Sequence, residues 1–493
     1  MTNRSAYTVR SKRSSEKEGQ AEAEPIPKRF WWLKRIALGV LVLIIALGVL
    51  RWWWGWHVDG ILQAEIDRYL AAGQPVYPAD FVPVDLADED NAALVLERAS
   101  AVLAKLTAKQ TDMLEDVYYG EPALIAKHAQ DVAKLLEDAS EARALVRKAR
   151  SLPGADWGVR IRSLLATPGF LSHAPRLMLA RLLKVAAIHA HQKGNDAEAV
   201  ETVRDMLGLA RHVDRDPSAI SHMVASRISH VGANRIEDYC HKLRIRGGAL
   251  ATGVATRPTK AAGAATRAQV AGLIAELLDE GGSQRGLGLA WACYGERAGY
   301  LATAESFTGG KAVPGVAPGP WGALGAVPAF VLGPLFRLDA VRMMRRETVW
   351  AEAGEQSAWP VSRPTSATVP GAAPGLRRVT RPFSSIFIDG RECLAHIHFR
   401  TLAFLRMAAI ALAIRMYELD HGRRPERLEL LVPDYLPNVP RDPFTPDRRE
   451  IGYDPTAERA ILFSANVGTV DKQAASRLNV RDLSFYLDGD RPR

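Results

Sequence analysis

"PRLMLARLLKVAAIHAHQKGNDAEAVETVRDMLGLARHVDRDPSAISHMVASRISHVGANRIEDYCHK", residues 175–242, decides the fold class. Apolar residues recur at helical spacing, and the pattern breaks only at "KGND" and "DRDP", both turn-forming. The reading is helix, tight turn, helix, turn, helix.

Working outward, helical periodicity also covers 89–110 and 112–150, then roughly 264–280, 284–306 and 388–420. The acids Asp88, Glu89 and Asp90 suit either a cation site or a helix N-terminus, and the N-cap reading is favoured because negative charge there is stabilised by the helix dipole. Glu296 and Arg297 are adjacent, so on a helix they diverge by about 100° and should pair with different elements. Residues 311–336 are apolar but hold Pro314, Pro318, Pro320, Pro328 and Pro334, which predicts a loop rather than a second span. The Pro-rich stretch 356–387 reads as a linker. Within 388–420 the most apolar part, "MAAIALAI", makes only about 12 Å of helix, too short for a bilayer, and is expected to be packed in a core.

Near the N-terminus, "IALGVLVLIIALGVL" (36–50) carries no charge and makes roughly 22 Å of helix. Phe30, Trp31 and Trp32 on one side and Trp52, Trp53, Trp54 and Trp56 on the other suit the two interfaces of a bilayer, with Lys34, Arg35 and Arg51 snorkelling outward. Residues 30–56 therefore read as one uncleaved membrane anchor: a signal peptide would have an n-region of about 35 residues, and no small-x-small cleavage site follows the apolar run. The segment before Ile36 holds nine Lys or Arg against four Glu, which predicts a cytoplasmic tail (1–29) and an extracytoplasmic remainder.

The net charge of +9 does not point to nucleic acid, because the basic residues outside the tail form no run and no interleaving with aromatics. The membrane surface is the better partner for "PKRFWWLKR". Cys240, Cys293 and Cys393 are odd in number and far apart; one long-range disulfide is open, and no framework or metal pattern is present.

Motifs that carry chemistry are scarce. There is no His-Glu-x-x-His, no Gly-x-Ser-x-Gly and no phosphate-cradling glycine loop. Cys393, His396 and His398 in "CLAHIH" do not share one helix face, and neither do His189 and His191, so packed or surface roles are expected. His222 and His230 lie two turns apart and can line a groove, but show no carboxylate partner in sequence. No catalytic, cofactor or metal residues are assigned.

Small residues Ala186, Ala190 and Ala197 let the first two helices of 175–242 approach closely, so that pair resembles a single tetratricopeptide-type hairpin. "YELDHGRRPERLELLVPDYLPNVPRDPF" (417–444), followed by "IGYD" and "AILFSA", resembles the globular end of the major pseudopilin of type II secretion, through Tyr417, His421-Gly422, Pro425, Leu428, Leu431, Pro440, Asp442-Pro443-Phe444 and Tyr453. The resemblance implies a long helix, a short return helix and a small antiparallel sheet, with a core from Leu428, Leu431, Tyr435, Phe444, Tyr453, Ile461 and Phe463. It also implies calcium after the second strand, where "SANVGTVDK" (464–472) offers Ser464, Asn466, Thr469 and Asp471 beside Lys472. One carboxylate is poor provision for calcium, so the module is expected to fold without it.

More broadly, "AGQPVYPADF", "DEDNAALVLERA", "HGRRPERLELLVPDYL" with "DPF", and a final strand "RDLSFYL" resemble a family of bacterial single-pass membrane-anchored proteins. That resemblance implies an architecture and a location but no activity. The expected fold is mainly α: tail 1–29, transmembrane anchor 30–56, tetratricopeptide-like helical body 57–355, linker 356–387, and a C-terminal helix with a small α+β module, 388–493. The leading functional expectation is a non-enzymatic envelope protein that binds a protein partner on a concave helical face. The alternative is a hydrolase-like enzyme with its site assembled inside the helical body. A buried cluster of ionisable groups in a pocket favours the second.

Overall fold

The computed structural model describes residues 31–82, 86–119, 122–161, 173–246, 263–278, 285–308, 326–359, 384–445, 447–456, 460–464 and 483–489. The expected tail 1–29 lies outside them. The chain divides into two units, Met1–His57 and Val58–Arg493.

In the first unit lies the apolar part of α1 (Trp31–Ala71), which is long and apolar enough to cross a membrane and has none of its apolar window buried. The Arg35 guanidinium lies 3.3 Å from the centroid of the Trp31 ring, and Trp53 stacks on His57 at 5.8 Å. Aromatic and basic groups thus share the helix ends, as interfacial anchors do.

The second unit is mainly helical. Its α2 (Ala92–Leu103) is capped by Asn91, whose Oδ1 accepts from the Ala93 amide at 3.0 Å. The acids 88–90 do not cap it: they form a 3-10 turn one step earlier, exposed to solvent. The helical stretch expected at 112–150 is four shorter pieces, α3 (Ala108–Tyr119), α4 (Pro122–Lys127), α5 (Ala129–Asp138) and α6 (Ser140–Arg150). Pro122 opens α4, as a residue without an amide hydrogen must at a helix start.

Next come α7 (Ala174–Gln192), α8 (Asp196–Val213) and α9 (Ala219–Tyr239), the three helices of 175–242 with turns where "KGND" and "DRDP" stand. Gly194 adopts φ +73°, the left-handed turn conformation. Asn195 caps α8 by accepting from the Glu198 amide at 3.2 Å, and Ser218 caps α9 by accepting from the Ser221 amide at 3.1 Å.

Beyond them lie α10 (Arg267–Leu278), α11 (Arg285–Thr308) and α12 (Ala326–Glu355). The last corrects the expected loop at 311–336: its end, from Ala326 on, is helix, and Pro334 sits inside that helix. Pro328 falls in the first turn, where no helical hydrogen bond is lost, and α12 packs against α11. Residues 309–325 lie outside the described set. So does most of the expected linker, 360–383, while its last residues, 384–387, already belong to α13 (Ser384–His421).

Every residue from Met407 to Ile414 on α13 is buried, so this second long apolar helix is a core helix. Gly422, at φ +68°, ends it. A 3-10 turn follows at Leu428–Leu431, then β1 (Gly452–Asp454), β2 (Ile461–Phe463) and β3 (Ser484–Tyr486), an antiparallel sheet in that order. Tyr453 opposes Leu462, and Leu462 opposes Phe485.

The sheet corrects two members of the expected core. Leu462 and Phe485 are fully buried at 0% exposure, whereas Ile461 and Phe463 are only half-buried. Strand side chains alternate between faces, so a shift of one residue exchanges the buried set. Phe463 instead lies over Gly452, where an added Cβ would stand 2.6 Å from its ring.

One apolar cluster runs from α8, α9 and α10 through α13 into the sheet. A second joins α2–α9 in sequence, and a third joins residues 62–76 to α11 and α12. Cys240, Cys293 and Cys393 form no disulfide with one another.

Candidate functional site

The turn between α8 and α9, "VDRDPS", puts Asp214 and Arg215 at the C-terminal end of α8 and starts α9 so that His222 emerges from its first turn. Two glycines of α11 let that helix approach. A Cβ at Gly295 would collide with the Pro217 carbonyl, and one at Gly288 would collide with the Asp214 carboxylate and lie 3.2 Å from His222 Cε1. From the other side α13 packs against α9 and brings His398, far away in sequence, to His222.

The three side chains form a line. His222 Nδ1 lies 2.7 Å from Asp214 Oδ1, and His222 Nε2 lies 3.1 Å from His398 Nδ1. Both histidines are buried, 3% and 5% exposed. A carboxylate only accepts, so the hydrogen on His222 is at Nδ1 and a neutral His222 accepts from His398 Nδ1–H. His398 Nε2 then carries a bare lone pair, and it has no hydrogen-bond partner among the described residues. Burial, then the nearby His222 and Arg406, hold the His398 pKa well below the usual imidazole value, so it is a neutral base.

Both histidines line a cavity of about 240 Å³ together with Arg211, Asp214 and Arg215, and with Trp291, Leu402 and Leu405 among its apolar lining. Trp291 Nε1 donates to the Arg215 carbonyl at 3.1 Å, tying these two lining residues together. Ser226 and Thr401 border this cavity and also a second one, of about 520 Å³, which His230 and His396 line.

The histidines singled out in sequence therefore separate. His222 meets His398, while His230 and His396 face the other cavity, the former packed edge-on against Phe404 at 4.6 Å. His191 Nδ1 lies 2.7 Å from Asp196 Oδ1 and Asp196 also accepts from Arg244 Nε, a structural clasp at the start of α8. Of the loop 464–472, residues 465–472 lie outside the described residues. Ser464, the one candidate ligand described, donates its hydroxyl to Asp442 at 2.7 Å.

A second buried polar group sits below the site. Ser221 Oγ donates to Asp216 Oδ2 at 2.6 Å, and His173 Nε2 is 3.5 Å from the same hydroxyl. Arg176 donates to His173 Nδ1 at 2.6 Å, and burial followed by that charge lowers the His173 pKa to about 4. The serine proton is thus committed to Asp216, not to the imidazole, and the arrangement caps α9 rather than activating a nucleophile.

Asp214, Arg215, Gly288 and Trp291 had no sequence motif to mark them. The one available signal was Asp214 standing just before the helix that carries His222. Comparison of the chain with protein families, with curated proteins and with solved structures returns no match.

Proposed function

We propose that this chain is a single-pass membrane protein with its helical body outside the cytoplasm, and that the body holds a hydrolytic acid–base site centred on His398. The observation that carries the reading is the buried Asp214–His222–His398 line on the wall of a cavity. It is the kind of ionisable cluster that separates an enzyme from a partner-binding scaffold.

In this mechanism His398 Nε2 accepts a proton from water as the water oxygen adds to a carbonyl or phosphoryl centre. The Nδ1 proton of His398 moves to His222 Nε2, and Asp214 stabilises the imidazolium that results. Reversal of the two transfers delivers the proton to the leaving group. Each role depends on the hydrogen-bond direction set by Asp214, so the carboxylate is a positioning residue.

The location rests on the exposed apolar part of α1 and on the excess of Lys and Arg before it. Alkaline phosphatase fused after residue 80 should be active, and an inactive fusion would reverse the orientation. The C-terminal segment is read as a pseudopilin-like module without an assembly role, supported by the sequence of long helix, 3-10 turn and three antiparallel strands. The helix pair α7–α8 is read as one tetratricopeptide-like hairpin.

Activity is tested with the full chain in detergent micelles against chromogenic carboxylic and phosphoric esters. Turnover should fall about 100-fold or more in H398Q and in H222Q, the usual worth of a general base. Turnover indifferent to both substitutions would sink the reading.

A further inference from the structure

The lining of the cavity carries more positive charge than the protein neutralises. Arg211 and Arg215 both line it, together with a single carboxylate, Asp214, which is hydrogen-bonded to His222. Arg211 Nη2 donates to the Arg150 carbonyl at 2.7 Å and Arg215 Nη2 to the Pro153 carbonyl at 3.3 Å. Neither forms an ion pair among the described residues. Other arginines of α6 and α8 behave otherwise: Arg147 pairs with Glu198 and Asp205, Arg150 with Glu201 and Asp205, and Arg204 with Glu276.

Arg215 Nε is, moreover, buried and without an acceptor. Burial, then the neighbouring Arg211, lowers the Arg215 pKa against the attraction of Asp214, so one carboxylate does not fully compensate the two guanidiniums. Two of the residues that line this cavity each keep a buried nitrogen without a partner among the described residues, Arg215 Nε, a donor, and His398 Nε2, an acceptor. An anionic ligand in the cavity would supply the counter-charge that Arg211 and Arg215 do not find in the protein.

We infer that the cavity binds a small organic anion, a carboxylate or phosphate monoester with an apolar body, anchored by Arg215 and Arg211 and lying against Trp291, Leu402 and Leu405. This rests on the acid–base reading of the same cavity only for the orientation of the ligand's reactive bond toward His398. The anion site stands or falls separately. A volume of about 240 Å³ suits one ring with a charged substituent and not a polymer segment.

Calorimetric titration of the full chain in neutral detergent micelles tests this, with benzoate and phenyl phosphate as probes and benzamide as the uncharged counterpart. Benzoate and phenyl phosphate should bind about tenfold or more tightly than benzamide, the worth of charge-assisted hydrogen bonds. R215M should remove that difference and leave benzamide unchanged, while R215K should fall between, since lysine keeps the charge and loses the fork. H398Q should retain benzoate within about threefold, because a neutral side chain carries no charge to attract the anion. Equal affinity for benzoate and benzamide, no binding of either anion, or benzoate binding indifferent to R215M in a protein with unchanged melting would overturn the inference. Arg215-dependent benzoate binding without any His398-dependent hydrolysis would keep the anion site and remove the catalytic reading.

Discussion

Glycine at position 288 is a condition for the site, because any side chain there would occupy the space of the Asp214 carboxylate. G288A should push Asp214 off His222 and cost about 1–3 kcal/mol as an overpacked core does. It should also lower hydrolysis to near the level of H222Q, since without the carboxylate the imidazolium has no counter-charge. G60A is the matched control: an added Cβ there meets nothing within 4 Å, so helix propensity alone should leave stability equal or slightly raised. Thermal melting and turnover of both variants decide the point, and a G288A protein with wild-type turnover would show that Asp214 does not act through His222. The same residues explain why the site was not legible in sequence. Asp214 sits eight residues before His222 across a turn, so helical periodicity says nothing of their pairing, and His398 is a further 176 residues away. Only the packing of α13 against α9 joins them.

Elements were legible where a local rule decides them and not where tertiary contact does. The turns of 175–242, the end of α13 at Gly422 and the return turn at Leu428–Leu431 follow from glycine, capping and apolar spacing. Glu296 and Arg297 also diverge as neighbours on a helix must. Glu296 accepts from the Ala219 amide at 3.0 Å and caps α9, while Arg297, 0% exposed, donates to Gln74 Oε1 at 2.8 Å and the Pro75 carbonyl at 2.7 Å. Its guanidinium lies 3.9 Å from the centroid of the Tyr69 ring, so one helix supports both the candidate site and the segment after α1. The misread elements share a different cause. A proline count predicts no helix at 326–336, yet α12 has α11 beside it, and long contact outweighs one lost amide bond. On β2 the buried face depends on which residue meets Phe485, a register that three residues of sequence do not specify.

At the scale of the whole molecule, the C-terminal module shares its core with the helical body. Leu462 and Phe485 belong to the same apolar cluster as Ile274 of α10 and Ile236 of α9. Polar contacts cross the same boundary, with Glu237 accepting from the Tyr486 amide at 2.9 Å and Arg267 paired to Asp420. A fragment of residues 384–493 would expose the face of α13 that α9 and α10 cover, and a chain ending at 383 would expose the complementary face. Each lost large side chain costs about 1.5–3 kcal/mol, and the cluster contains many more than a marginal stability can spare. Neither piece should therefore unfold cooperatively on its own, whereas the two produced together should reassemble and recover a single transition. Urea unfolding followed by circular dichroism reads the outcome. A sharp, reversible transition of 384–493 alone would mean that the module has a sufficient core of its own, and that the contacts from β3 and α13 to α9 and α10 join two independently stable parts.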